Sequence, residues 1–328
     1  MNTITVIGGS GFIGTRFCRL LEKDGVDFLI IDKDTSLAFG PQSVAADVRN
    51  GQVLQKAVSG QVIINLAAEH RDDVTPRSLY DEVNVDGARR VCAAAEAKGI
   101  EKIIFTSSVA VYGFAPVGTD ESGELNPFND YGRTKMLAEQ VYREWQSRDP
   151  ENRTLVIVRP TVVFGEGNRG NVYNLLRQIA SGLFVMIGNG KNVKSMAYVE
   201  NVAAFLVHCL DFGPGVHVYN YVDKPDLNMN QLVDLVYKTL GRKPKIKARI
   251  PYFVGYNLAK VFDLAARVTG KKFPISSIRV KKFCSNSCFD TSVAKTGFTP
   301  PVPLLEGLER TIRHEFIEKH DGEVFHTE

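Results

Sequence analysis

Short apolar runs alternate with longer amphipathic stretches along the first half of the chain. Five runs rich in Ile and Val are typical of buried strands, at residues 3–7, 26–31, 62–66, 102–106 and 153–158. Three stretches that repeat apolar positions every three or four residues predict helices, at residues 15–23, 50–58 and 77–98. Because parallel strands need crossover helices, this alternation predicts an α/β fold with a doubly wound parallel sheet.

The first predicted strand runs directly into a glycine-rich turn. Gly8, Gly11 and Gly14 follow one another at intervals of three, and a predicted helix comes next. A junction of this kind presents backbone N–H groups and the positive end of a helix dipole to a ligand above it. Glycine serves the tight turn, the close approach of a ligand and the packing of helix on strand. The turn therefore predicts a phosphate or pyrophosphate site.

Asp32 ends the second apolar run, about 20 residues beyond the glycines. A carboxylate there accepts hydrogen bonds from ribose hydroxyls and repels a 2′-phosphate, which predicts NAD as the cofactor. Lys33 is a neighbouring cation that tolerates such a phosphate, so NADP stays an alternative. A purely structural role for Asp32, opening the turn at residues 32–36, is the other interpretation.

Candidate chemistry follows the run at residues 102–106. Ser108 comes directly after this strand, and Tyr131 and Lys135 lie four residues apart, on one face of a predicted helix. A phenol with a pKa of about 10 is a weak base at neutral pH, but a nearby ammonium and an oxidised nicotinamide favour the phenolate. We predict that Tyr131 exchanges a proton with a substrate hydroxyl, which Ser108 holds by a hydrogen bond.

Charge and cysteine content narrow the partners. The 328 residues carry a formal net charge of +3, too little to predict a nucleic-acid partner, so we expect a small molecule. No apolar stretch reaches the roughly 18 residues that a membrane span needs, and no secretory signal is visible, which predicts a cytoplasmic protein. Five cysteines without metal-ligand spacing predict free thiols and no metal site.

The second half of the chain predicts one further strand and several further helices. Its pattern predicts a strand at residues 216–219 and helices at residues 171–180, 230–240 and 303–316. The apolar segment 250–268 stands apart, with core packing or a subunit interface as the main interpretation. A helix lying on a membrane surface is the less favoured alternative.

Motifs spread through the chain resemble those of one superfamily. They are GGSGFIG at the start, Asp32, NLAA at residues 65–68, NVDG at residues 84–87, SSVAVYG, YGRTK and RPTVVFG at residues 159–165. Together they resemble the extended short-chain dehydrogenase/reductases, in the NAD-dependent epimerase/dehydratase branch that acts on nucleotide sugars. The resemblance covers residues 3–202, with a looser likeness beyond.

The resemblance implies roles for the matching residues. Ser108, Tyr131 and Lys135 would be the catalytic trio. The cofactor would be bound by Gly8, Gly11, Phe12, Ile13, Gly14, Asp32, Asp47, Val48, Leu66, Ala67 and Ala68, with Tyr131 and Lys135. A nucleotide-diphosphate sugar would contact Ser108, Asn168, Arg169 and Lys194, although the family often has Arg near Lys194.

The resemblance also implies a domain organisation. Residues 1–165 would form the NAD(P)-binding Rossmann domain, with a segment at about residues 196–222 returning to it. Residues 166–195 and 223–328 would mainly form a discontinuous substrate-binding lobe. The expected assembly is a homodimer.

The residues after Ser108 separate the possible reactions. Dehydratases of this branch carry an acidic pair there, whereas this chain has Val109 and Ala110, which cannot exchange protons. We therefore predict an epimerase acting at C4 of a nucleotide-linked hexose through a 4-keto intermediate. A 4-keto-6-deoxy sugar reductase needs the same residues and is the main alternative. A hydroxysteroid-type alcohol dehydrogenase and a non-catalytic dinucleotide sensor are less favoured.

Overall fold

A computed structural model shows how the chain folds. It describes residues 3–71, 74–244, 246, 248–269 and 276–326, and within residues 266–268 the backbone alone. Two lysines that end the apolar segment, Lys271 and Lys272, lie outside the described residues.

Twelve strands are found in the described residues. They are β1 Ile4–Ile7, β2 Phe28–Asp32, β3 Ser43–Ala45, β4 Val62–Asn65, β5 Lys102–Thr106, β6 Thr154–Pro160, β7 Val162–Phe164, β8 Val185–Ile187, β9 Val193–Tyr198, β10 Gly215–Tyr221, β11 Asp223–Asn228 and β12 Ala248–Ile250. The five strands predicted in the first half are all present. The short β3 is an addition, because its three residues are partly exposed and give no apolar signal.

Seven strands form one parallel sheet in the order β10-β6-β5-β4-β1-β2-β3. The chain moves outward from β1 to β2 and β3, then returns to β4 and proceeds the other way. The order therefore reverses between β1 and β4, and ligands of open α/β sheets bind above such a reversal, at the carboxyl ends of the strands. The predicted Rossmann-type sheet is confirmed.

Eleven α-helices connect and flank the strands of the described chain. They are α1 Phe12–Lys23, α2 Gly51–Ala57, α3 Ser78–Tyr80, α4 Asp86–Lys98, α5 Asp130–Ser147, α6 Asn171–Ala180, α7 Val199–His208, α8 Met229–Thr239, α9 Tyr252–Thr269, α10 Ser277–Cys284 and α11 Leu304–Phe316. Apolar side chains of α1 and α7 cover one face of the large sheet. Those of α2, α4 and α5 cover the other face.

The single helix predicted over residues 77–98 is interrupted in the structure. A π-helical turn at Asp81–Val85 separates α3 from α4. The turn carries Asn84, whose side chain donates hydrogen bonds to the hydroxyl of Thr134 and to the carbonyl of Glu69, both at 2.9 Å. One residue of extra winding thus lets a polar side chain tie this helix to α5.

A second group of elements packs against one end of the sheet. Strands β11, β9 and β7 form a three-stranded sheet, and β12 pairs with β8. Their core includes buried side chains of α6, α8 and α11. These elements come from residues 162–198 and from residues beyond 223. The division into a Rossmann domain and a substrate-binding lobe stays a prediction.

Most large apolar side chains in the described part of segment 250–268 do not pack in the core. The segment forms the helix α9, and Phe253, Leu258, Val261 and Leu264 are exposed to solvent. The expectation of core packing is therefore wrong for these side chains. In the described part of the chain, no helix is both long enough and apolar enough to cross a bilayer.

A buried ion pair joins α5 to the sheet. Both side chains are almost fully buried, Glu139 of α5 at 2% exposure and Arg159 of β6 at 3%. The guanidinium donates from Nε at 2.9 Å and from a terminal nitrogen at 2.6 Å, so the contact is bidentate. Glu139 also accepts a 2.5 Å hydrogen bond from the hydroxyl of Ser107, the first residue after β5. The carboxylate thus connects the helix to two strands.

We expect Glu139→Gln to lower the free energy of unfolding by about 3–5 kcal/mol, because the charge of Arg159 would stay buried without its counter-ion. Urea denaturation of both proteins measures the loss. Glu306→Gln is the control, since Glu306 pairs with Arg310 at 2.5 Å on the surface of α11 and its removal should cost less than about 1 kcal/mol. Equal losses in the two variants would contradict the role given to the buried pair.

Candidate active site

The glycine turn lies at the reversal point of the sheet. Gly8 follows β1 with a positive φ of 79°, and its N–H donates to the carbonyl of Ile31 in β2. A Cβ on Gly8 would lie 2.5 Å from the backbone nitrogen of Ala67, which follows β4. A Cβ on Gly14 would lie 2.6 Å from the Cα of Gly9. Side chains at these two positions would force apart β4, the turn and α1.

The N-terminus of α1 is open toward this crevice. Gly11 is its N-cap and, among the described residues, no side chain caps the helix there. The N–H groups of the first turn, from Phe12 and Ile13 onward, are therefore oriented for an anion. The Phe12 ring is buried against Phe325, so this residue offers its backbone alone. A cradle of this shape fits the diphosphate of a dinucleotide.

Asp32 stands at the carboxyl end of β2, beside the glycine turn. Its carboxylate accepts a 3.0 Å hydrogen bond from the N–H of Ser10 and a longer one from the N–H of Asp34. Burial raises the pKa of Asp32, while these hydrogen bonds lower it. A half-buried acceptor here fits the ribose hydroxyls of NAD.

Asp47 and Lys33 lie near each other beyond Asp32. Arg49 forms a bidentate contact with Asp47, at 3.1 and 2.7 Å, which holds the pKa of that carboxyl below its usual range, and the charge of Lys33 acts in the same direction. The neighbouring Val48 is buried against Gly87 of α4. A cation thus stands at the far end of the crevice.

The segment after β4 forms the other wall of the crevice. Leu66, Ala67 and Ala68 are half-buried. The N–H of Leu66 donates to the carbonyl of Ile7, and the N–H of Ala67 donates to the side chain of Asn65. Small side chains fixed in this way leave room for a flat ligand above β1 and β4.

Tyr131 and Ser108 lie together at the carboxyl end of β5. Ser108 caps the 3₁₀ turn Val109–Tyr112, where its Oγ accepts a hydrogen bond from the N–H of Ala110. Tyr131 is in the first turn of α5, which Asn129 caps through the N–H of Gly132. Burial raises the pKa of Tyr131, and a hydrogen bond between its side chain and that of Ser108 lowers it.

Lys135 lies one turn further along α5. Its Nζ donates a 2.7 Å hydrogen bond to the carbonyl of Thr106 and lies 4.6 Å from the ring centroid of Phe105. Burial lowers the pKa of Lys135 to about 7, against an opposing effect of the Glu139 carboxylate. The ammonium and the neutral amine are therefore both accessible near neutral pH.

Sequence reasoning missed the groups that support this helix. Glu139 continues the spacing of four that starts at Tyr131, and a buried chain of hydrogen bonds runs from it through Arg159 to Tyr112 and Asn220. The available signal was the repeat of polar residues at intervals of four in an amphipathic helix. Asn84 was noted as part of a motif, but its contact with Thr134 depends on the π-helical turn, which no periodicity predicts.

Three of the predicted substrate residues, Asn168, Arg169 and Lys194, make contacts within the protein. Asn168 is buried, and its amide lies 3.4 Å from the carbonyl of Val163. Arg169 pairs with the buried carboxylate of Glu315 at 2.6 Å. Lys194 donates to the carbonyls of Lys282 and Ser285, and burial lowers its pKa to about 8. In this arrangement the two cations have protein partners.

Among the described residues, one group of side chains brings possible metal-ligating atoms close together. His314, Glu315 and His320 bring their ligand atoms within 4.8 Å of one another. The Glu315 carboxylate already accepts hydrogen bonds from Arg169 and from the N–H of Gly167. These contacts give the trio a structural role in joining α11 to the loop after β7.

We expect Lys135→Met to change stability in a pH-dependent way. In the native protein the buried amine loses its proton above pH about 7, whereas the unfolded chain keeps it up to about 10.5, so the unfolded state binds more protons in this interval. The stability of the wild type relative to the variant should therefore rise with pH there, by up to about 1.4 kcal/mol per unit. Denaturation at several pH values measures this. A difference in stability between wild type and variant that does not change with pH would contradict it.

Comparisons with known proteins agree with this geometry. The profile of the "NAD dependent epimerase/dehydratase family" matches residues 4–221, more than half of the chain. An "N-acetyl-alpha-D-glucosaminyl-diphospho-ditrans,octacis-undecaprenol 4-epimerase" from Escherichia coli O157:H7 is 50% identical, over 98% of this chain and 98% of that protein.

Solved structures share the fold. A UDP-glucose 4-epimerase from Thermotoga maritima with UDP-glucose superposes with a TM-score of 0.75 at 20% identity, covering 95% of this chain and 98% of the other. One from Thermus thermophilus in complex with NAD gives 0.74 at 20% identity, with the same coverage. The predicted resemblance to NAD-dependent enzymes of the 4-epimerase branch is confirmed, and the chain belongs to the NAD dependent epimerase/dehydratase family.

Proposed function

We propose that this protein inverts C4 of an N-acetylhexosamine that is joined through a diphosphate to a polyprenyl carrier. The observation that supports the reaction best is the pair of Tyr131 and Ser108 beside the glycine crevice. The full-length likeness to a 4-epimerase with 50% identity supports the position on the sugar and the type of carrier.

In the proposed reaction Tyr131 exchanges the proton of the C4 hydroxyl. The phenolate oxygen of Tyr131 takes this proton as the C4–H bond breaks. After the sugar ring has turned over, Tyr131 returns the proton to the substrate oxygen on C4. Gly8, Gly11 and Gly14 would hold NAD, which would supply the acceptor and donor of the C4 hydride and, when oxidised, a positive charge that favours the phenolate. Ser108 holds the same substrate oxygen, so that it keeps one position while the ring presents either face.

The role of Lys135 is electrostatic in this proposal. Its protonated amine, placed one helical turn from Tyr131, stabilises the phenolate and offsets the effect of burial on the phenol. The hydrogen bond to the carbonyl of Thr106 holds the amine at the end of β5. Tyr131 and Lys135 would otherwise both favour their neutral forms.

The turn after Ser108 favours epimerisation over elimination of water. Val109 and Ala110 occupy the 3₁₀ turn that faces the site, and neither has a group that exchanges protons. A dehydratase needs an additional acid and base at this place. In this proposal the phenol of Tyr131 alone exchanges the proton, which is enough for oxidation and reduction at a single carbon.

We propose NAD as the cofactor. The Asp32 carboxylate is held by the N–H of Ser10 at the point where a ribose would lie, and its charge repels a 2′-phosphate. Lys33 keeps NADP as the alternative, but its charge acts on the carboxylate of Asp47, which partly neutralises it. A homodimer is the assembly that we expect.

One observation favours a polyprenyl carrier over a nucleotide. The relative with the lipid carrier is 50% identical, whereas the UDP-glucose enzymes of known structure are 20% identical and share the fold alone. A nucleotide-linked sugar is the second candidate, supported by the shared fold.

The carrier is tested by supplying N-acetylglucosaminyl-diphospho-undecaprenol or UDP-N-acetylglucosamine to the purified protein without added cofactor. We expect the 4-epimer of the lipid-linked sugar, with kcat/KM at least about 100-fold higher than for the nucleotide sugar, or about 2.7 kcal/mol in transition-state binding. Separation of the released sugars measures both products.

Each other outcome has a clear meaning. A preference for the nucleotide sugar would overturn the lipid carrier while leaving the epimerase. Consumption of NADPH with a 4-keto sugar, and no epimerisation of either substrate, would show a reductase instead.

A further inference from the structure

Helix α9 presents its large apolar side chains to solvent and its small ones to the protein. Phe253 is 66% exposed, Val261 64% and Leu264 63%. On the opposite side, Ala259 is fully buried, and a Cβ on Gly255 would lie 2.9 Å from the side chain of Ile187. A helix that only covers a core has the reverse arrangement. The apolar side of α9 is therefore available to something outside the described fold.

The exposed side chains form one patch. Of the nineteen large hydrophobic residues that are exposed in the described chain, six belong to α9. Ile278 extends the patch onto α10. The N–H of Ser277, the first residue of α10, donates to the carboxylate of Asp263 in α9. Concentrated apolar surface of this kind marks an interaction site in a protein whose other exposed apolar residues are scattered.

The chain around this patch is strongly basic. Residues 241–284 contain twelve of the forty Lys and Arg residues, but Asp263 is their one acidic residue among thirty-seven, so their net charge is 12 − 1 = +11. The whole chain carries +3, which leaves −8 for the remainder. Such a concentration of positive charge beside exposed apolar side chains is complementary to anionic lipid headgroups over hydrocarbon.

The charge distribution disfavours a second copy as the occupant. A twofold interface places the same patch of each subunit against the other, so two segments of +11 would meet. Repulsion between like charges would oppose that contact. An anionic surface would instead neutralise the Lys and Arg charges of this segment.

The patch is connected to the candidate active site. A cavity of about 710 Å³ lies between the start of α9, α10 and the β8–β12 pair, with Arg249, Tyr252 and Lys281 among its lining residues. Lys281 lies 4.5 Å from the ring centroid of Phe114, and Lys282 lies 4.9 Å from that of Phe128. These two rings stack on each other in the loop between Ser108 and Tyr131. Helix α10 therefore lies between the apolar patch and the loop that joins Ser108 to Tyr131, which we call the catalytic loop.

We propose that α9 lies on the surface of an anionic membrane, with Phe253, Leu258, Val261 and Leu264 inserted at the boundary of the hydrocarbon. The surrounding lysines and arginines contact lipid phosphates. In this orientation the cavity and the catalytic loop face the headgroup layer, where the diphosphate of a polyprenyl-linked sugar would lie. The benefit for catalysis rests on the proposed function, whereas the contact with the membrane does not.

The test is sedimentation of the purified full chain with vesicles of phosphatidylglycerol mixed with phosphatidylcholine, and with vesicles of phosphatidylcholine alone, in the absence of substrate. We expect binding to the anionic vesicles that weakens as salt is added. Val261→Glu combined with Leu264→Glu should weaken it at least tenfold, a change of about 1.4 kcal/mol. Leu305→Glu combined with Ile317→Glu adds the same charges at exposed positions of α11 and its end, and should bind more tightly than the α9 variant.

Failure of the wild type to bind anionic vesicles, or equal binding by the two double variants, would overturn the proposal. Loss of a dimer in the α9 variant, with vesicle binding unchanged, would assign the patch to a second copy instead. Circular dichroism checks that both variants are folded.

Activity separates this proposal from the proposed function. The α9 variant should epimerise a short-chain, water-soluble analogue of the lipid-linked sugar at the wild-type rate, and lose rate with the same sugar in vesicles. If the wild type acts on neither substrate, the proposed function fails, while the vesicle experiment still decides the membrane contact.

Discussion

A buried ion pair sets the geometry of the candidate active site. Glu139 of α5 and Arg159 of β6 are both almost fully buried, and Glu139 also binds Ser107 at the end of β5. Burial of a charge is tolerated when the charge is paired and fully hydrogen-bonded, so these contacts fix the position of α5 over the sheet. Tyr131 lies two turns before Glu139 and Lys135 lies one turn before it, on the same face of α5. The carboxyl ends of β5 and β6 thereby determine where the phenol stands.

The parts of the fold that repeat simple rules could be predicted from the sequence. The strands in the first half are short Ile- and Val-rich runs. Because helices connect them, the strands are expected to pair in a parallel sheet. The glycine turn follows from Gly8 and Gly14, where no Cβ fits beside Ala67 or Gly9. Ser108 and Tyr131 were predicted to meet because each follows or precedes an element that ends at the same edge of the sheet.

The features that escaped prediction depend on contacts between distant residues. The π-helical turn places the side chain of Asn84 within hydrogen-bonding distance of Thr134, fifty positions away in the chain. Arg169 and Lys194 were candidates for contacts with the substrate, but Glu315 holds Arg169, and carbonyls of α10 and its end hold Lys194. The exposure of α9 could not be predicted either, because the sequence pattern of an apolar helix is the same whether the helix faces a core or a membrane.

These contacts place the Tyr131 phenol at the edge of the parallel sheet that also carries the glycine turn, and a basic segment with exposed apolar side chains lies in the second half of the chain. The claim on which this account rests is that Tyr131 carries the proton. It is tested by kcat of Tyr131→Phe, with the NAD content of the purified protein measured in parallel and Tyr219→Phe as a control on the edge strand β10. The account predicts a fall in kcat of at least about 100-fold with unchanged NAD content, and a control close to wild type. Turnover by Tyr131→Phe equal to that of the control would contradict it.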